Sequence, residues 1–128
     1  MTSALYRSAL VLLLLLGIAA CGETSPEATV RQFYSLLDQG QVSEAYKLLD
    51  VPAGMESKAN MALSIAADTV HQQGGIASLD VKKVDVNGEL AVVEFSLGYK
   101  GKGDATNAPV QKKQSLRKLA GEWKLSLK

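Results

Sequence analysis

At 128 residues the chain has room for one domain with a modest core and no second. Its 47% hydrophobic and 21% charged residues are those of a globular fold and speak against disorder. A formal charge of +1, with no long basic run interleaved with aromatics, argues against nucleic acid as a partner.

Residues 1–20 read as an export signal peptide. Arg7 supplies a positive start, Ala9 to Leu16 an apolar stretch, and Gly17-Ile18-Ala19-Ala20 a small-residue cleavage zone. The apolar run from Ala9 to Cys21 is 13 residues long, short of the roughly 20 that a spanning helix needs. A short uncleaved signal anchor is the alternative. The four residues Ile18-Ala19-Ala20-Cys21 resemble the bacterial lipobox, with Ile18 in the slot that usually holds Leu. The resemblance implies cleavage between Ala20 and Cys21, a diacylglyceryl group on the Cys21 thiol, and a membrane as partner. At ~0.8 kcal/mol per buried methylene, two or more acyl chains anchor a protein where one would not. Gly22, which is not Asp, implies by the same resemblance the outer membrane, facing the periplasm, in a diderm host. In any other host the address is the outer face of the cytoplasmic membrane.

Cys21 is the one cysteine, so no internal disulfide is available and stability must come from packing. Residues 21–25 form the expected lipidated cysteine and tether, and 26–128 the domain. The four residues Gly22 to Ser25 reach at most about 14 Å when extended, which keeps the domain close to the bilayer.

Three helices are expected first. Ser25-Pro26-Glu27 is a helix start: Ser caps, Pro fits the first turn and Glu favours the positive dipole end. Val30, Phe33, Tyr34 and Leu37 then share one face, and Gly40 ends the element. A second helix begins at Ser43-Glu44 with Val42, Ala45, Tyr46 and Leu49 as its stripe, and breaks at Asp50 to Gly54. The third runs from about Met55 to Gln73, so rich in alanine that another layer should approach it closely. Gly74-Gly75 stop it.

The period then changes to that of strands. Leu79 to Val86 leads into Asn87-Gly88, a two-residue hairpin signal. On the return strand Ala91, Val93, Phe95, Leu97 and Tyr99 alternate on one face. Gly101 to Pro109 is a polar loop. Val110 to Leu119 is a third strand of imperfect alternation, Ala120-Gly121 a turn, and Trp123, Leu125 and Leu127 mark a closing strand. This order predicts an α+β domain, three helices on a four-stranded antiparallel sheet.

Pro26-Glu27-Ala28 with Phe33-Tyr34, Glu44 to Leu49, and Gly121-Glu122-Trp123-Lys124-Leu125 resemble small bacterial lipoproteins of unknown function in the nuclear transport factor 2-like (cystatin-like) superfamily. The resemblance spans the expected domain and implies that the sheet curves around the helices to make a cone. It also raises the activity of the superfamily's ketosteroid isomerases, which use an Asp base with Tyr or Asp donors inside the cone. That pattern does not map onto this chain residue by residue.

Candidate chemistry is sparse. His71, the one histidine, is read as a surface residue near a helix end, with no Cys or second His to complete a ligand set, so neither metal nor cofactor is expected. Asp38, Asp68, Asp80 and Asp85 are available carboxylates, but a catalytic one would need burial or a partner to tune it; no catalytic residue is assigned. Tyr34, Tyr46, Phe95, Tyr99 and Trp123 are either core or the lining of a small hydrophobic pocket. Lys82-Lys83, Lys112-Lys113 and Arg117-Lys118 are either solvated strand positions or a basic sheet face for anionic headgroups. From Cys21 to Asp80 there are three basic and eight acidic residues, and from Val81 to Lys128 ten basic and five acidic. Two oppositely charged layers, or a steering field, would account for that split.

The reading that results is a lipid-anchored envelope lipoprotein whose non-catalytic domain binds a small hydrophobic ligand or an envelope protein. An isomerase- or hydratase-like enzyme with an Asp/Tyr set in the cone is one alternative. A structural protein with a filled core is the other.

Overall fold

The computed structural model describes residues 25–101 and 108–127. The expected signal peptide, Cys21 and most of the tether lie outside the described residues.

Helix α1 spans Pro26–Asp38. The Ser25 hydroxyl accepts from the Ala28 N–H at 3.1 Å, satisfying one of the free donors of the first turn. At the other end Gly40 takes φ +73, and the N–H groups of Gly40 and Gln41 close on the carbonyls of Leu37 and Leu36. This reversed closure is the Schellman arrangement, which glycine adopts without a Cβ penalty. Helix α3, Glu56–Gln72, ends in the same way, with Gly74 and Gly75 at φ +83 and +97 and their N–H groups on His71 and Val70.

Between them the expectation needs correction. Helix α2 covers only Val42–Tyr46, and Leu49, expected on its stripe, belongs to a strand. So short a helix gains little from propagation, whereas the edge of the sheet offers free backbone partners. The Leu125 N–H donates to the Leu48 carbonyl at 2.8 Å, and β1, Leu49–Asp50, pairs in parallel with Leu125–Ser126. The sheet therefore has five strands, not four, in the order β1-β5-β4-β3-β2. Its other members are β2 (Ile76–Asn87), β3 (Leu90–Tyr99), β4 (Val110–Leu119) and β5 (Glu122–Ser126), joined as an antiparallel meander.

Strand β2 starts three residues before the expected Leu79. Irregular pairing between Ile76 and Ser78, and again between Val81 and Lys83, breaks the alternation that would have betrayed it. Such bulges also bend a strand and increase its twist. The β2–β3 loop is Gly88-Glu89, one residue later than the Asn87-Gly88 signal, since Asn87 still pairs with Leu90. Gly88 has φ +62 at the first loop position, as a type II′ turn requires. The Ala120-Gly121 turn has both residues at positive φ, the I′ pattern.

Helices α1 and α3 cover the concave face. Val30, Phe33 and Leu37 of α1 meet Val93, Phe95 and Leu97 of β3, Leu116 of β4 and Leu125 of β5 in one buried cluster. Burying each large apolar side chain contributes about 1.5–3 kcal/mol. Two polar ties set the direction of α1: Arg31 Nη1 donates to the Leu79 carbonyl at 2.9 Å, and Asp38 Oδ1 accepts from the Ile76 N–H at 3.0 Å. Helix α1 thus runs antiparallel to β2. The helical layer carries the acidic half of the chain and the sheet the basic half.

Candidate functional site

The five aromatic candidates do not surround one cavity. Phe95 and Trp123 are buried in the core, and Tyr34, Tyr46 and Tyr99 are half-buried against it. The Tyr34 ring packs edge-on to Phe33 at 5.2 Å and tilted to Phe95 at 5.5 Å. Burial, with the nearby Tyr99 phenol adding to it, pushes the Tyr34 hydroxyl from its ordinary 10.0 up to about 12. Burial raises that of Tyr99 as well. The Lys118 ammonium sits 5.8 Å from the Trp123 ring centre, capping the core at that edge.

Carboxylates stay outside. Asp38, Asp68, Asp80 and Asp85 are all exposed, and among the described residues the buried polar ones are Thr29 and Ser96. Asp38 shares a 260 Å³ cleft with Tyr34 and Arg31 at the α1–β2 seam. Its Oδ1 is already engaged by the Ile76 N–H, so it acts there as a backbone tie, which no sequence pattern signalled.

A wider, open cleft of 660 Å³ lies where α1 and α3 both end. Asp38, Asp68, His71 and Lys100 line it together with Gly74 and Gly75. The expectation that His71 is a surface residue at a helix end holds. Among the described residues no group of three or more His, Cys, Asp or Glu side chains is placed to hold a metal ion.

An apolar crevice of 160 Å³ opens beneath α3. Ala59, Ala62 and Ala66 leave this gap because their short side chains stop before they reach Phe33, Leu49 and Leu125. Gln114 lines it too, and its Nε2 donates to the Ser126 carbonyl at 3.1 Å, anchored across β4 and β5. The alanine spacing was the sequence signal for this close approach. Apolar surface continues outward along the helix. At ~100° per residue, Ile65 stands about 60° round from Ala62 and Met61 about 40° further. Ile65 and Met61 are 60% and 66% exposed.

The fold is that of the nuclear transport factor 2-like proteins: α+β, with three helices against a curved sheet. A candidate NTF2-like transpeptidase from Campylobacter jejuni matches over 82% of this chain and 100% of its own, at 16% identity and a TM-score of 0.66. A candidate ketosteroid isomerase from Shewanella frigidimarina matches over 81% of this chain and 93% of its own, at 19% identity and a TM-score of 0.59. A de novo designed protein of this fold matches at 14% identity and a TM-score of 0.54, over 83% and 87% of the two chains. At such identities the likeness is one of fold. No protein-family model matches the chain, and no curated protein matches it. The fold hosts isomerase-like enzymes and non-catalytic domains alike, so function has to be argued from the site.

Proposed function

We propose that the chain is a lipid-anchored accessory lipoprotein of the cell envelope whose domain runs no reaction and seats an apolar side chain of a partner protein in the crevice beneath α3. One observation carries the reading: the apolar opening of 160 Å³ falls well below the roughly 300–1,000 Å³ of pockets that enclose a whole small ligand. A space of that size takes a single aliphatic or aromatic group. The exposed Ile65 and Met61 beside it extend the contact as an interface does and a solvated helix face does not.

An isomerase-like reaction is less well supported. It calls for a carboxylate in a water-poor cavity under a hydroxyl donor, and here the interior is filled by Phe95, Leu97, Leu116 and Leu125 while every candidate aspartate is at the surface. The anchor rests on the lipobox resemblance, which implies lipid on Cys21.

A photoreactive residue in place of Met61, activated in intact cells, tests the binding face. The expected outcome is one discrete crosslinked species that disappears when Ala62→Glu puts a charge on the crevice rim. No crosslink, or one indifferent to Ala62→Glu, overturns the binding reading. The anchor is tested by the mass of the N-terminal peptide of the native protein, expected to begin at Cys21 and to carry diacylglyceryl.

A further inference from the structure

We infer that the end of the sheet holding the β2–β3 hairpin docks on an anionic phospholipid bilayer, the hairpin tip entering the interface and the lysines behind it, Lys82, Lys83 and Lys113 on the outer face and Lys112 on the helix side, meeting the headgroups. The inference rests on the proposed anchor for its orientation and on the described residues for its chemistry.

The orientation comes from the two ties of α1 to β2. Arg31 lies against Leu79 and Asp38 against Ile76, so passing back along the helix means passing forward along the strand. Ser25 is six residues before Arg31, about 9 Å at the helical rise. Three strand residues beyond Leu79 cover about 10 Å and reach Lys82. The helix therefore begins, with Ser25 as its cap, at the level of Lys82 and Lys83. Strand β2 runs on past that level to Asn87 before it turns.

This overhang explains an otherwise odd exposure. Val84 and Val86 pair with Val93 and Ala91, both buried, so they point to the concave face. They are nevertheless 39% and 56% exposed, because β2 is the edge strand and runs on beyond the start of α1, and Leu90, on the opposite face across the turn, is 59% exposed. Two apolar side chains on the helix side and one on the outer face thus stand at the hairpin end, beyond the start of α1.

Behind them the sheet register gathers positive charge. Glu94 pairs with Lys83 on one side and Lys113 on the other, and Phe95 with Lys112. Lys82, Lys83, Lys112 and Lys113 line one shallow cleft of 450 Å³ with Glu94 and Gln111. Lys83 pairs with Asp85 at 3.4 Å and Lys113 with Glu94 at 3.7 Å, while Lys82 and Lys112 have no ion pair among the described residues. Glu89 is the carboxylate on the turn itself. Apolar side chains ahead of a lysine belt, on a chain tethered from that end, match a bilayer with anionic headgroups better than a protein surface. The apolar tip also distinguishes this surface from a site for a free anion, which would need no such overhang.

The test uses the natively processed protein carrying Val86→Cys, labelled with a fluorophore and reconstituted by its anchor into vesicles that contain a lipid-borne quencher. Gln72→Cys, at the far end of α3, is the control. In phosphatidylcholine vesicles containing phosphatidylglycerol, quenching at 86 is expected to exceed that at 72 several-fold. The difference should shrink in phosphatidylcholine alone, at high salt, and in the Lys82→Glu/Lys112→Glu variant. Each lysine near a charged bilayer is expected to be worth about fivefold in occupancy of the docked state, so reversing two should lower it by tenfold or more. Lys82 is exposed and Lys112 half-buried, and an unchanged unfolding midpoint identifies a folded variant. Equal quenching at 86 and 72 overturns the inference, as does a label that stays wet on vesicles but becomes buried in native envelopes, which assigns the tip to a protein. The N-terminal peptide mass of the same sample separates the two proposals: lipid on Cys21 with a wet label sinks the docking alone. A bare thiol with charge-dependent quenching sinks the anchor alone.

Discussion

The Tyr34 hydroxyl is where a single atom most plainly feels the fold. Its ionisation is pushed up to about 12 because burial penalises the phenolate and Tyr99 lies close by. A folded-state value above the unfolded 10.0 means that the native state keeps the proton while the unfolded state loses it. The associated stability is whole below pH 10 and drains away as pH rises toward 12. Denaturant midpoints measured across that window are expected to fall, by an amount on the order of 2 kcal/mol, and to fall distinctly less in Tyr34→Phe. Ultraviolet titration should show a late-ionising phenol that is absent from the variant. Phe95, which packs on the same ring and is 1% exposed, is the other sensitive position. Phe95→Ala leaves a cavity in the core and is expected to destabilise by about 3–5 kcal/mol, read by urea denaturation.

At the scale of elements, what could be read in advance was what is local. Ser25-Pro26, Gly40, Gly74-Gly75 and Ala120-Gly121 each act through backbone atoms within a few residues, and each stands where its chemistry places it. Ser25→Ala is therefore expected to cost ~1 kcal/mol, with faster amide exchange confined to the first turn of α1. Strand β1 was illegible because its reason is remote: Leu49 leaves the helical stripe only because Leu125 offers an edge 76 positions away. The start of β2 was hidden by its bulge, and the Asp38 tie to Ile76 is a contact between residues 38 positions apart. Asp38→Ala should loosen the joint between α1 and β2, losing about 1 kcal/mol and the exchange protection of the Ile76 amide. The crevice was half legible, since the alanines of α3 announced a close approach but not that it would stop short. The lysine pairs were visible as residue types, and only the register of β2, β3 and β4 brought Lys82-Lys83 and Lys112-Lys113 into one cleft.

Over the whole molecule these features fall in order along α1. The polar cleft with His71 and Asp68 lies where the helix ends, and the hairpin with its lysines where the helix starts, roughly 20 Å apart at 1.5 Å per residue. If the chain is held by Cys21, the tether is short against that length, at most about 14 Å from Gly22 to Ser25. A short tether raises the effective concentration of the docking end at the bilayer, which falls off as the linker lengthens beyond the span it bridges. Inserting a Gly/Ser segment of about 20 residues after Glu23 would give a root-mean-square reach of about 25 Å, since such chains extend as ~5–6 Å times the square root of their length. Lipid attachment should be untouched, because the lipobox is unchanged. Quenching at position 86 on anionic vesicles should drop severalfold, and raising the phosphatidylglycerol fraction should restore it, since stronger attraction offsets the lost proximity. If quenching is unchanged by the insertion at every lipid composition, the hairpin end reaches the membrane by its own affinity and the short tether plays no part in its orientation.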